Sequence, residues 1–377
     1  MAGIRPPRLI RLTAESPDLL HLDALRFGAA LAIVVVHFRT NLLAAWPGAQ
    51  TAFSRLDGLA VSVDLFFAIS GFVISWVYGD RLSSLAAYGT FLRKRVARLM
   101  PLHWATLGFF VLVGLVLQSQ GGDAAPTKYN FSCLLTNAVL LQGWGLCGGP
   151  SFNTVSWSIS AEMTMYFAYP LLFLAGARFP RIALIAVAAL ILALELGALA
   201  PPFWVERTHN LGVLRAFPGF CIGILLFQNR ARMAQLPAPQ AWLGAALAAL
   251  IIGVGLGAPK SVLVLIAYAI TACGIAADLQ RKAGPMIARI APAGRLTYSI
   301  YMLHPIAQSL FINIVGRRIL GLEGAELTLW TLAALPVTIA ISYLSLCLFE
   351  EPARRLLSGG HGPRRPTADP KDERFSI

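Results

Sequence analysis

Arg26 and His37 stand in a run from Leu25 to Phe38 whose other residues are all apolar or glycine. Eleven helical residues turn through about 1100°, three full turns plus roughly 20°, and rise roughly 16 Å. Both polar side chains therefore leave the same side of one helix. The run is otherwise suited to lipid, where an ionisable group is costly unless it faces a polar interior. This pair constrains the chain to a bundle that encloses something polar.

Composition extends the argument. Of 377 residues, 57% are hydrophobic and 13% charged, against about 25% charged in soluble domains. Stretches near the roughly 20 residues needed to cross a bilayer recur at 23–43, 60–79, 102–118, 155–176, 181–199, 211–227, 240–257, 260–277, 296–316 and 327–349. The expected fold is all-α, a polytopic integral membrane helix bundle of about ten transmembrane helices. The apolar stretch 132–144 is too short to cross and is expected to dip into the interface. Polar residues precede the first span and no cleavage site follows it, so it reads as a retained anchor. The expected organisation is a basic cytosolic lead (1–22), one integral membrane domain (23–352) and a disordered cytosolic tail (353–377). Gly219-x-x-x-Gly223 reads as a small-residue packing motif.

The net charge of +13 could suggest a nucleic-acid partner, but the distribution of charge gives another answer. With the N-terminus in the cytosol and ten alternating spans, inner segments hold Arg5, Arg8, Arg11, Arg81, the cluster Arg93-Lys94-Arg95 with Arg98, Arg178, Arg181, Arg230, Arg232, Arg281, Lys282, Arg289, Arg295 and the basic tail. Arg39, Arg55, Lys128, Arg207, Lys260, Arg317 and Arg318 fall outside, Arg39 by snorkelling from the first span. That bias follows the positive-inside rule, puts both termini in the cytosol and requires no nucleic acid. Cys221, Cys273 and Cys347 read as packing residues, whereas Cys133 and Cys147 share an outer segment where a bridge is permitted.

Several further polar groups interrupt apolar spans. Asp64 in the second span needs a cationic or hydrogen-bonding partner, and a structural salt bridge would suffice. Ser158, Glu162 and Tyr166 follow i, i+4, i+8 and form one stripe, beside Ser160. Tyr301, His304 and Gln308 share a face of the ninth span, which also carries Tyr298. Arg215 needs an acid that Asp64 or Glu162 could supply. The cluster Arg93, Lys94, Arg95 and Arg98 lies between the second and third spans; it suits positive-inside anchoring and, equally, a polyanionic ligand. No metal-ligand spacing, glycine-rich phosphate loop or credible strand is present. Buried charges also describe a proton-coupled transporter or exporter, although no repeat symmetry relates the two halves.

With these residues assembled, the chain resembles acyltransferase family 3, membrane-embedded acyltransferases that include enzymes acting on surface glycans. The resemblance runs from about Leu22 to Arg355 in five ordered stretches: Leu22-Asp23-x-Leu25-Arg26 with His37; Val63-Asp64-Leu65-Phe66-Phe67-x-x-Ser70-Gly71-Phe72; Arg95-x-x-Arg98-x-x-Pro101; Trp157-Ser158-x-Ser160-x-Glu162 with Tyr166 and Pro170; and Gly294-Arg295-x-Thr297-Tyr298-Ser299-x-Tyr301-x-x-His304, followed by Glu350-Glu351-Pro352-x-Arg354-Arg355. Two features depart from relatives. The tail is far too short for the soluble esterase-like domain that some carry, and Leu303-His304-Pro305 stands where many have aromatic residues, which leaves acyl preference open.

The resemblance implies transfer of an acyl group, acetyl in the simplest case, from acyl-coenzyme A to a hydroxyl of a sugar, glycan, lipid-linked or similar acceptor, in a bacterial inner membrane and with no permanently bound cofactor. On that reading Arg93, Lys94, Arg95 and Arg98 hold the donor phosphates. His37 is the general base, its unperturbed pKa near 6.5 suiting a hydroxyl proton. Glu162 orients the imidazole or holds its charge, and Arg26, Ser158 and Ser160 position the thioester or its oxyanion. Asp64 joins the catalytic set, while Asp23, Ser70, Tyr166, Arg215, Tyr298, Tyr301 and His304 contribute to substrate binding or to structure.

Overall fold

A computed structural model describes residues 9–358, apart from 80, 83, 120–127, 197–203 and 282. Arg5, Arg8, Lys282, the end of the 181–199 segment and the tail beyond 358 lie outside the described residues. The remainder is helical: α1 (Leu20–Ala45), α2 (Ser62–Tyr78), α3 (Leu85–Ser119), α4 (Trp157–Arg178), α5 (Pro180–Glu195), α6 (Gly212–Gln228), α7 (Pro239–Leu256), α8 (Lys260–Leu279), α9 (Thr297–Ala307) and α10 (Gly324–Ser345), joined by short helical turns. Among the described residues six helices are long and apolar enough to cross a bilayer, and seven if α4 and α5 count as one bent span. That is fewer than the sequence expectation. α6 has only 17 residues, and α9 has 11 before its backbone loosens into a π-helix over Gln308–Ile319. α4 and α5 meet at a bend of 119° where Pro180 opens α5.

α3 corrects the expectation that Arg93–Pro101 is a connection between spans. Its 35 residues run unbroken through the cluster, with Pro101 inside the helix. Leucine, alanine, arginine and lysine are all good helix formers, so nothing before Pro101 stops it. A helical pitch then divides the cations. Arg95 and Arg98, three residues apart, share the partly buried face, whereas Arg93 and Lys94 are exposed on the other.

Three contacts set how the helices sit. A Cβ on Gly71 of α2 would lie 2.1 Å from the Phe220 carbonyl oxygen, and one on Gly223 of α6 would lie 2.1 Å from that of Ala68. The two backbones approach to a distance that only glycine allows, as the Gly219-x-x-x-Gly223 pattern implies. The start of α1 is tied to α8 by Asp278, whose carboxylate accepts from the backbone N–H groups of His21 at 2.8 Å and Leu22 at 3.0 Å and from His21 Nδ1 at 2.7 Å. These are first-turn N–H groups without intrahelical partners, met by a negative charge at the positive end of the helix. At the other end of α1, Gln308 at the start of the π-helix donates to the His37 carbonyl at 2.9 Å and to Asn41 Oδ1 at 2.8 Å.

Cys133 and Cys147 form a disulfide with Cα atoms 6.0 Å apart and a sequence separation of 14. The bridged loop packs on α3, where His103 Nε2 meets the Asn137 carbonyl at 2.7 Å and Trp104 donates to the Ala138 carbonyl at 2.9 Å. A crosslink closing a loop of this size stabilises by about 3 kcal/mol. Cys147→Ser is therefore expected to lower the melting temperature in detergent, and treatment with dithiothreitol should lower the parent protein to the same value. An unchanged melting temperature in both cases would show that the bridge contributes nothing.

Candidate active site

The polar side chains gather around two cavities towards opposite ends of α1. The first, of about 110 Å³, is lined by Glu15, Arg26, Arg95, Arg98, Ser70, Ser158, Glu162, Tyr166, Tyr298 and Tyr301, with apolar walls from α2. The second, of about 420 Å³, is lined by His37, Arg39, Asp57, Trp157, Glu206, Thr208, Arg215, Lys260 and Tyr301. Four helices line both. α1 gives Arg26 to the first and His37 to the second, α4 gives Glu162 to the first and Trp157 to the second, α2 gives Ser70 to the first, and α9 gives Tyr298 to the first. Val63 and Tyr301 line both cavities and form their common wall. The single face shared by Arg26 and His37 thus opens into two chambers, because the helical rise between them is roughly 16 Å.

In the first chamber, Arg95 lies among aromatic rings, its guanidinium carbon 5.5 Å from the centre of Tyr78 and 5.8 Å from those of Phe91 and Tyr166. Such faces attract a cation without neutralising it, and Arg95 Nε has no hydrogen-bond partner. Arg26 and Arg98 both pair with Glu15, a residue of the lead. Burial by itself would raise the Glu15 carboxyl, but the two guanidiniums outweigh it and hold the group well below the ordinary carboxylate range. Asp23 accepts from the backbone N–H of Glu15 at 2.9 Å and lies 3.6 Å from Arg26. Tyr298 donates to the Leu99 carbonyl at 2.5 Å and braces α9 against α3.

The α4 stripe divides by contact. Glu162 accepts from Ser70 Oγ at 2.8 Å and from the Tyr166 hydroxyl at 2.5 Å. No bond joins it to His37, so the expectation that it orients the imidazole is corrected: the carboxylate lines the first cavity and the imidazole the second. Ser158 donates to the Tyr301 hydroxyl at 2.7 Å, which donates to the Val155 carbonyl at 3.0 Å, fixing the shared wall. Ser160 donates to the Leu140 carbonyl at 2.6 Å and accepts from Gly143 N–H at 3.1 Å. It holds a loop and lines neither cavity, a structural contact rather than one at the thioester.

Asp64 is fully buried and accepts from Arg215 Nε at 3.1 Å and Nη2 at 2.7 Å. Of the two acids the sequence offered Arg215, the structure selects Asp64. The Arg215 guanidinium also lies 5.4 Å from the centre of the Trp157 ring. Asp64 therefore braces the floor of the second cavity through Arg215 rather than lining it. At the rim, Asp57 pairs with Arg39 at 2.6 Å and Lys260 at 2.5 Å.

His37 Nδ1 lies 2.9 Å from the Ile33 carbonyl. A carbonyl only accepts, so Nδ1 carries a proton, and in the neutral imidazole Nε2 keeps its lone pair. The His304 ring lies 4.7 Å from that of His37, fully buried, with Nδ1 3.2 Å from the Ile300 carbonyl and Nε2 without a partner. Two imidazoles with the same tautomer thus stand side by side. Sequence reasoning missed Glu15 and Asp57, because each acts through charges distant in the chain; the only signal for Glu15 was an acid within a basic lead.

A helical chain suited to lipid, with cations beside one cavity and an imidazole in another, is an integral membrane protein built around an internal polar site. The model of a family described as an acyltransferase domain matches residues 19–347. The chain belongs to this acyltransferase family, and the protein is an acyltransferase. It is similar to acyltransferase MdmB of Streptomyces mycarofaciens, 26% identical over 401 aligned positions that cover 97% of each chain. It is also similar to protein 2 in the picA locus of Rhizobium radiobacter, 35% identical over 112 positions covering 29% of this chain and 53% of that one. No solved structure matches.

Proposed function

We propose that the protein moves an acyl group, acetyl in the simplest case, from acyl-coenzyme A to a hydroxyl of a carbohydrate or similar acceptor, in a bacterial inner membrane with both termini in the cytosol. The observation that carries this reading is the pair of chambers sharing the Val63–Tyr301 wall, one beside arginines and one lined by an imidazole. Arg95, Arg98 and Arg26 suit the donor's phosphates, since guanidinium pairs bidentately with phosphate. Arg93 and Lys94 are exposed on the far side of α3 and serve membrane-surface anchoring instead. The neutral thioester arm then runs along the apolar α2 wall, and its acyl end passes between Val63 and Tyr301 into the second chamber.

The acceptor enters the second chamber. His37 Nε2 takes the proton of its hydroxyl as the oxygen attacks the thioester carbonyl. The C–S bond breaks, the new C–O bond forms, and the departing thiolate takes the proton back from His37. Glu162 acts through Ser70 and Tyr166, whose hydroxyls it holds at the first chamber's wall.

Acyl-coenzyme A turnover by the purified protein in detergent tests the reading. Release of free thiol that depends on a hydroxylated acceptor is the expected result. Flux driven by a pH gradient with no thiol release would overturn it in favour of transport.

A further inference from the structure

The lead before α1 does more than anchor. We propose that residues 9–19 form a strap and that Glu15 is a displaceable stand-in for an anionic group of the donor, seated between Arg26 and Arg98. The proposal rests on the donor reading above and adds to it a competition built into the chain.

Four observations carry it. Glu15 sends one carboxylate oxygen to Arg26 and the other to Arg98, joining cations from α1 and α3. Both belong to the stretches Leu22–Arg26 and Arg95–Arg98, and both line the first cavity together with Glu15. The Glu15 side chain is 25% exposed, so its seat communicates with solvent. Finally, the strap is tethered at separate points: Tyr343 donates to the Ile10 carbonyl at 2.8 Å, and Asp23 accepts from the backbone of Glu15 and Ser16 at 2.9 and 3.4 Å.

The physical logic is exchange of one anion for another. Two guanidiniums in a half-buried site repel each other and need a counter-ion; a carboxylate supplies one negative charge and two acceptor oxygens. A phosphate carries more charge and a third acceptor oxygen, and makes stronger paired bonds to arginine. The donor therefore replaces Glu15, which turns towards water while its backbone tethers hold. Its apparent affinity is reduced by the fraction of molecules in which Glu15 holds the seat. A purely structural Glu15, aligning both arginines for the donor, predicts the opposite sign.

The test is equilibrium binding of coenzyme A, with inorganic pyrophosphate as a second probe, to the full-length protein in detergent. Glu15→Gln is expected to bind each probe on the order of 10-fold more tightly, with Glu15→Asp close to the parent. Unchanged or weaker binding by Glu15→Gln overturns the proposal. If coenzyme A binds neither protein while pyrophosphate still binds Glu15→Gln more tightly, the donor reading falls and the anion seat stands. If neither probe binds, both fall.

Discussion

His37→Ala is expected to lower acceptor-dependent thiol release by about 10²- to 10⁴-fold, the range for loss of a positioned general base. The Michaelis constant for acyl-coenzyme A should move little, because the arginines proposed to hold it line the other chamber. The reason for so large an effect lies in the neighbours. His37 has its Nδ1 fixed on the Ile33 carbonyl, and the adjacent His304 is fully buried with its own Nδ1 on the Ile300 carbonyl. Glu162 is held by Ser70 and Tyr166, and Asp57 by Arg39 and Lys260. Among the described residues lining the second cavity, His37 contributes the one imidazole. Steady-state kinetics checks the prediction, and undiminished turnover would remove His37 from the chemistry.

Arg215→Ala is expected to reduce folding stability by about 3–5 kcal/mol, the loss that follows when one partner of a buried ion pair is left alone. Asp64 has no exposed surface and takes both of its short side-chain bonds from Arg215. Without the guanidinium, its carboxylate sits unpaired beside the tight α2–α6 contact. The readout is the monodisperse fraction on size-exclusion chromatography after mild heating in detergent. Replacing both residues together, as Asp64→Leu with Arg215→Met, should recover much of the loss, since a well-packed apolar pair substitutes for a buried salt bridge. A single variant that melts like the parent would show that the pair is incidental to the fold.

The two predictions differ in how far sequence reasoning could reach them. The stripe Ser158–Glu162–Tyr166, the Arg26–His37 spacing and the need of Asp64 for a partner all follow from positions along one helix. Each side chain of that stripe is buried or half-buried. The tight glycine contact was legible too, since Gly219-x-x-x-Gly223 is a pattern within a single segment. The partner of each group was not legible. Glu162 meets Ser70 of α2, Ser160 meets a loop, and Glu15 reaches Arg98 across 83 positions of chain. The unbroken course of α3 through its basic cluster was hidden by composition, because a run of cations reads as a connection at a membrane surface until the helix is seen to continue through it.

By itself the sequence determined an all-helical membrane chain with polar faces, the position of each ionisable residue around its own helix, and an acyltransferase resemblance that the family match bears out. Those properties are local, since helical pitch and the cost of charge in lipid act residue by residue. Only the tertiary structure decided that Arg26 and His37 serve separate chambers, that Asp64 rather than Glu162 neutralises Arg215, and that the lead places Glu15 between two arginines. Those outcomes depend on the rotation and axial offset of one helix against another. They are set by close contacts such as Gly71 against Phe220 and Gly223 against Ala68, which no single segment contains.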